Sequence, residues 1–276
     1  MDRDQPKAPD ETPETDPVIV DASPGGVAVV LLNRPQRHNA FNDRMIAALD
    51  DAFETLRGAD HVRVVILRGA GKSFSAGADL EWMRSASHFT PEENEADALS
   101  LAHMLAKLHH LPQLTIAAVH GAAMGGGAGL VAACDVAVAL KSASFRFSEV
   151  RLGLTPATIS PFVVQAIGPR WARALFATGE GFDGAFAEKI GLVQYAVDDD
   201  AALEATLEHL AKLVFAAGPK ALAESKKLVD DVYGKPIDGA LAHLTAKRIA
   251  GRRASAEGKE GVAAFLEKRK PSWLAD

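Results

Sequence analysis

The chain has 276 residues, of which 48% are hydrophobic and 24% charged, with a net charge of −6. This is room for one large domain or two modest ones around a sizeable core, in the composition range of ordinary soluble globular proteins. Six acids (Asp2, Asp4, Asp10, Glu11, Glu14 and Asp16) against Arg3 and Lys7 concentrate charge in the first sixteen residues, so the body is near neutral and gives no sign of a nucleic-acid surface.

Residues 1–16 are acidic and proline-rich, with neither the apolar core of a signal peptide nor the arginine bias of a transit peptide, and read as a disordered leader. Val18 to Val20 and Val27 to Leu32 predict two strands joined through Ser23-Pro24-Gly25-Gly26. Asn42 is placed to cap a helix whose apolar positions Met45, Ile46, Leu49, Phe53 and Leu56 follow helical spacing. Val62 to Leu67 predicts a strand, and the turn Phe74-Ser75-Ala76-Gly77-Ala78-Asp79-Leu80 follows it. Thr90-Pro91-Glu92-Glu93 is a helix start, with Thr90 as cap, proline at the first position and Glu93 closing the box. That helix is expected to reach His109.

Leu114 to Val119 predicts the next strand, and Met124-Gly125-Gly126-Gly127 opens a helix to about Ala133. Val136 to Ala139 and Phe145 to Phe147 predict short strands. From Ile159 onward the pattern is mostly helical, with one strand near Val193 to Ala196. The chain thus divides into an α/β body, 17–200, and a helical C-terminal region, 201–276, whose helices are expected to pack across the body or a neighbour. The apolar stretch Gly121 to Cys134 holds five glycines and is too short to span a bilayer. Cys134, the only cysteine, permits no intrachain disulfide and reads as a buried structural thiol in a reducing compartment; a cytoplasmic protein is expected.

Several motifs fail on spacing. Gly69-Ala70-Gly71-Lys72-Ser73 resembles the end of a phosphate-binding loop, but Ile66 stands where its first glycine belongs. Gly125-Gly126-Gly127-Ala128-Gly129 lacks the last glycine of a dinucleotide fingerprint, since Leu130 holds that place. No zinc-ligand pattern and no G-x-S-x-G elbow occurs, so no metal and no cofactor is expected. His109-His110 read as a helix end near its negative pole. His120, beside the second glycine turn, either lines a site or packs in the core.

What remains is two glycine-bearing turns, each launched from an apolar strand. Such turns leave backbone N–H groups free, and two of them can serve one developing negative oxygen, as an enzyme forming an enolate or a tetrahedral oxyanion requires. Glu149, after Phe145-Arg146-Phe147-Ser148, is a carboxylate in apolar surroundings. It is either a proton-transfer group or the partner of Arg146 or Arg151.

As a set, these residues resemble the enoyl-CoA hydratase/isomerase (crotonase) superfamily. The resemblance runs from Leu32-Asn33-Arg34-Pro35 and His38-Asn39-Ala40-Phe41 through both glycine turns, Cys134-Asp135, Phe147-Ser148-Glu149 and Gly153-Leu154-Thr155-Pro156. It ends in Glu260-Gly261 and Ala264-Phe265-Leu266-Glu267-Lys268-Arg269-Lys270-Pro271. It implies a spiral of ββα units, a helical C-terminal region that assembles trimers or hexamers, and a coenzyme A thioester as substrate. By the same resemblance, the amides of Ala76 and Gly126 would hold the thioester oxygen, with Glu149 as acid/base. Ala40, Ala78, Asp79 and Leu80 would cradle the coenzyme, Lys268 or its neighbours would reach a phosphate, and Pro156 would lie along the substrate.

In the two-acid hydratases of this family a glutamate stands three residues after the middle glycine; here that residue is Gly129. Segments 77–84 and 148–162 are similar to the bacterial branch acting on 3-methylglutaconyl-CoA, an intermediate of leucine breakdown. On that likeness Gly129 would make room for a branched or carboxylated acyl chain, lined by Trp82 and Met83, with Arg84 or Arg151 pairing a substrate carboxylate. A hydratase is the reading this supports; an isomerase using Glu149, or a CoA-thioester-binding protein without turnover, are the alternatives.

Overall fold

The computed structural model describes residues 16–22 and 24–274. The expected leader therefore lies, Asp16 apart, outside the described residues. An antiparallel pair, β1 (Val18–Ala22) and β2 (Val27–Leu32), begins the chain and is followed by α1 (Asp43–Arg57) and β3 (Val64–Gly69). Then come α2 (Leu80–Ala86), α3 (Pro91–His109), β4 (Leu114–Val119), β5 (Ala122–Met124), α4 (Gly126–Ala133), β6 (Val136–Leu140) and β7 (Ser144–Arg146). The remaining elements are α5 (Ser160–Thr178), β8 (Gly181–Asp183), α6 (Gly184–Ile190), β9 (Tyr195–Val197), α7 (Asp200–Ala216), α8 (Pro219–Val232), α9 (Gly239–Ala254) and α10 (Ala256–Leu266).

Strands β1-β2-β3-β4-β6-β9 form one sheet, parallel except for its first pair. A parallel sheet needs cover on both faces, and the sequence supplies two sets of apolar residues in alternation. Val65 and Leu67 of β3, with Ala117 and Val119 of β4, face the larger core beneath α1, α3 and α4. Val64, Ile66, Ile116 and Ala118 face the opposite way, under Leu203, Leu207, Leu210 and Val214 of α7. Strands β5-β7-β8 make a second, three-stranded sheet. β5 and β8 were not expected: each is three residues long, too short to show a period, and β5 lies inside the approach to the second glycine turn.

The helix signals hold at the level of single atoms. Asn42 accepts from the Met45 amide, and Thr90 with Glu93 forms the reciprocal capping box. Of the C-terminal helices, α7 covers the sheet, whereas α8 and α9 bury no residue and α10 buries only Ala264. Apolar side chains stand exposed on and beside these last three, Ile237 at 98% and Phe265 at 82%. No described helix is long and apolar enough to cross a membrane.

The link between the body and the first glycine turn is Asn39. It is fully buried and has φ of 55°, a left-handed conformation that asparagine tolerates better than most residues. Its Nδ2 donates to the carbonyls of Ala70 (2.9 Å) and Ser73 (2.8 Å), while its Oδ1 accepts from the Arg34 amide (2.9 Å). Replacing it by alanine strips three backbone groups, one buried and two part-buried, of their partners at once. Asn39→Ala is expected to cost about 2–4 kcal/mol in urea unfolding; a loss within 0.5 kcal/mol, roughly the range of a surface substitution, would show that this hub is not needed.

Candidate active site

Residues 74–79, bent at Gly77, run between two neighbours. On one side Phe74 N–H donates to His120 O, Ser75 N–H to Ala122 O, and Met124 N–H to Ser75 O. On the other, Ala76 N–H donates to His38 O (2.9 Å), Phe41 N–H to Gly77 O (2.6 Å) and Asp79 N–H to Phe41 O (2.7 Å). The last two bonds bracket Ala78 in a parallel bridge with Phe41. The amide of Ala78 therefore faces away from Phe41, and it has no acceptor among the described residues. The expectation for Ala76 is thereby corrected: its N–H is already spent on His38, and the free donor of this turn is Ala78, two residues on.

The second turn meets the first directly. A Cβ on Gly77, whose φ is +88°, would stand 2.9 Å from the Met124 carbonyl and 3.8 Å from the Gly125 Cα. Gly125 (φ 47°, ψ −116°) caps α4 without a side chain, and its own amide is held by Arg146 O at 2.9 Å. Gly126 is the first residue of α4, so its N–H has no helical acceptor and carries part of the positive end of the helix dipole. Phe41 packs against Gly126 so closely that a Cβ there would come to 2.8 Å of its ring. Two unspent amides, Ala78 and Gly126, thus flank a single backbone contact.

The third component is Glu149, at the start of a short 3-10 turn over Glu149–Leu152. Its Oε1 lies 3.1 Å from where a Gly125 Cβ would be. Its Oε2 is buried with no hydrogen-bond partner. Neither arginine beside it in sequence is its partner: Arg146 lies over Gly181, and the Arg151 Nε lies against Gly179. Burial holds the Glu149 carboxyl above the ordinary glutamate range, its own backbone N–H easing the shift only in part. A desolvated carboxyl with no ion-pair partner beside free amides is equipped to move protons next to a developing oxyanion.

A sequence profile of the family described as enoyl-CoA hydratase/isomerase matches residues 22–276. The chain is 36% identical to a Thermus thermophilus protein named for enoyl-CoA hydratase activity, covering 92% of this chain and 99% of that one. It is 32% identical to the 1,2-epoxyphenylacetyl-CoA isomerase of Escherichia coli, covering 90% and 95%. A crystal structure from Legionella pneumophila, titled as an enoyl-CoA hydratase/isomerase (crotonase), is 44% identical with a TM-score of 0.87, covering 94% and 100%. The chain belongs to the enoyl-CoA hydratase/isomerase family. It has the crotonase fold, with a helical C-terminal region.

Within this crotonase fold the expected binding residues divide. Ala40 is buried and its carbonyl accepts from Arg34 Nη1 at 2.6 Å, and Asp79 is buried, pairs with Arg34 at 2.9 Å and caps α2 through Glu81 N. Both brace the turn from behind. Leu80 stands beside them, 76% exposed. Trp82 packs on the core, and Met83 is half-buried. Pro156 is buried in the loop after Glu149. Lys268 is exposed past the end of α10, which packs on α8 and α9, so no contact in a single chain brings it to the turns. His120 braces the Gly71 carbonyl at 2.9 Å. The Cys134 thiol is pushed far up by burial and by Asp135, as befits a structural role.

Gly129 requires the second correction. A Cβ there would meet Ile159 Cγ2 at 2.3 Å and its Cβ at 2.9 Å. The space opened by the missing side chain is filled by Ile159 and not left for an acyl chain. Gly129 lies one turn beyond Gly125 on α4, and an isoleucine branch stands where its side chain would begin. A glutamate at 129 would have to displace it.

Deleting a single N–H tests which amide is used. Replacing the Ala78 amide by an ester removes the donor without changing a side chain and is expected to lower kcat by about a hundred- to a thousandfold. The same exchange at Ala76 breaks the bond to His38 and should be read mainly in stability. Equal turnover losses at both positions would contradict the assignment.

Proposed function

We propose that the protein is an enoyl-CoA hydratase-type lyase in which Glu149 is the sole acid/base and the amides of Ala78 and Gly126 hold the thioester oxygen. The observation that carries this reading is the Glu149 carboxyl set against Gly125, with its Oε2 buried and without a partner, one residue from a free helix-terminal amide. The carboxylate takes a proton from water as the hydroxyl bonds the β-carbon, and the electron pair of the double bond moves onto the thioester oxygen. Hydrogen bonds from the two amides stabilise that enolate, and Glu149 returns the proton to the α-carbon. Water is added, the carboxylate is regenerated, and one acid suffices if both new bonds form on the same face.

For the acyl group we propose 3-methylglutaconyl-CoA or a related branched thioester, on the sequence of residues 77–84 and 148–162; Gly129 lends no support, since Ile159 takes its space. Of the two arginines considered for a substrate carboxylate, exposed Arg84 on α2 remains, while Arg151 is drawn to Gly179. Assembly as a trimer or hexamer through the exposed apolar residues of α8–α10 belongs to the same proposal. A second reading is favoured by the single carboxylate: an isomerase in which Glu149 carries a proton from one carbon to another, with no water consumed.

The purified protein is given crotonyl-CoA, 3-methylglutaconyl-CoA and a 3-enoyl-CoA, and products are weighed. A gain of one water from an α,β-unsaturated thioester supports the lyase, and an isobaric conjugated product supports the isomerase. Binding without product would overturn both. Glu149→Gln should abolish turnover and retain thioester binding. Because the folded pKa is raised, ionising Glu149 costs stability: the cost is absent below the ordinary carboxyl pKa and grows as pH rises through the folded value. The variant is therefore expected to melt higher than the parent at neutral pH and to converge with it in acid; the reverse order would contradict a desolvated carboxyl.

A further inference from the structure

Away from the turns, one ring nitrogen from each of His109 and His110 and a carboxylate oxygen of Asp230 lie within 4.8 Å of one another. They meet where the body joins the C-terminal helices: His109 ends α3, His110 caps it, and Asp230 stands on α8. His109 Nε2 and Asp230 Oδ1 are 3.4 Å apart. A charge-assisted hydrogen bond would draw them to about 2.7–2.9 Å. Two ligands of a tetrahedral zinc, each about 2.0–2.1 Å from the ion, stand about 3.3 Å apart. The His109–Asp230 spacing matches that of a pair of co-ligands, and the His110 nitrogen lies within 4.8 Å of both.

The surroundings prepare these groups for a cation. His110 Nδ1 donates to the Ala106 carbonyl at 2.7 Å, which in the neutral ring leaves the lone pair on Nε2. Metal-binding histidines are commonly oriented by such a bond to a carbonyl. The His109 ring is fixed against His110 at 5.0 Å and Phe162 at 5.6 Å. Lys226, one turn before Asp230, is committed elsewhere: it donates to the carbonyls of Leu111 and Gln113 and pairs with Asp135. Asp231 is taken by Arg248. The Asp230 carboxylate thus has His109 as its partner and no lysine or arginine ion pair among the described residues.

We propose that His109, His110 and Asp230 bind a divalent transition-metal ion of the zinc class, which clamps α8 to the end of α3. Two imidazoles and a carboxylate suit zinc, nickel or copper better than magnesium or calcium, which prefer oxygen donors. The exposed His110 and Asp230 leave an entry path and room for a water as fourth ligand. Since α8 buries no residue of its own, a metal bond at this junction adds directly to the attachment of the C-terminal helices. The site is independent of Glu149 chemistry and stands whether or not the proposed reaction does.

The full-length protein, free of any affinity tag and stripped with chelator, is titrated with zinc chloride by calorimetry and with cobalt chloride by visible absorption. The expected result is one equivalent bound, the intense visible bands of four-coordinate cobalt, and a rise in Tm with zinc. Asp230→Asn and His110→Gln, both at exposed positions, should weaken binding by about tenfold or more and remove the Tm rise, with the metal-free Tm little changed. No saturable binding by the parent protein, or binding unchanged in both variants, would overturn the proposal.

Discussion

One segment of backbone, residues 74–79, sets the geometry on which the candidate site depends. It is laced to residues 38–41 on one edge and to residues 120–124 on the other, and each bond fixes which amides are spent and which are not. Ser75 turns its backbone groups to β5, Ala76 turns its N–H to His38, and Ala78 is left over. Gly77 at φ +88° sits close enough to Met124 and Gly125 that no side chain fits between the two turns. The energetic logic is that of preorganisation: the donors are oriented at folding, so no reorganisation is needed when charge appears on the substrate oxygen.

The support for this segment lies behind it, in polar residues that the core would otherwise exclude. Asn39 ties the 70–73 loop to residue 34, and Ser75 Oγ donates to the Asn39 carbonyl at 2.9 Å. Arg34 links Ala40 O to Asp79, which in turn starts α2. Buried polar groups are costly unless each finds a partner, and here the partners are the backbone atoms of the turn. Ala40 and Asp79, expected from the family resemblance to flank the coenzyme, also brace the turn from behind.

Much of this was legible in the sequence, and the misses have physical causes. The caps at Asn42 and Thr90, the strands Val27–Leu32 and Leu114–Val119, and the two glycine turns are local signals that the structure realises with little shift. The isolation of Glu149 was not decidable from spacing: Arg146 and Arg151 are near in sequence, but they turn to Gly181 and Gly179, which lie thirty residues on. The choice between Ala76 and Ala78 depends on which edge of the segment faces a neighbour, information carried by His38 and Phe41 and not by the turn itself. Ile159 was likewise invisible as the occupant of the Gly129 space, because only the packing of α5 on α4 brings them together.

The same contact bears on the proposal that Glu149 acts alone, since Ile159 takes the space beside Gly129. Burial holds the Glu149 carboxyl above the ordinary range, and position 129 offers no second carboxylate to share its proton. The most direct test is a crystal structure with bound acetoacetyl-CoA, a thioester with no double bond to hydrate. The thioester oxygen is expected within about 3.1 Å of both the Ala78 and Gly126 nitrogens, with a Glu149 oxygen facing the α- and β-carbons. An oxygen held by other donors, or a Glu149 carboxyl turned away from those carbons, would contradict this assignment.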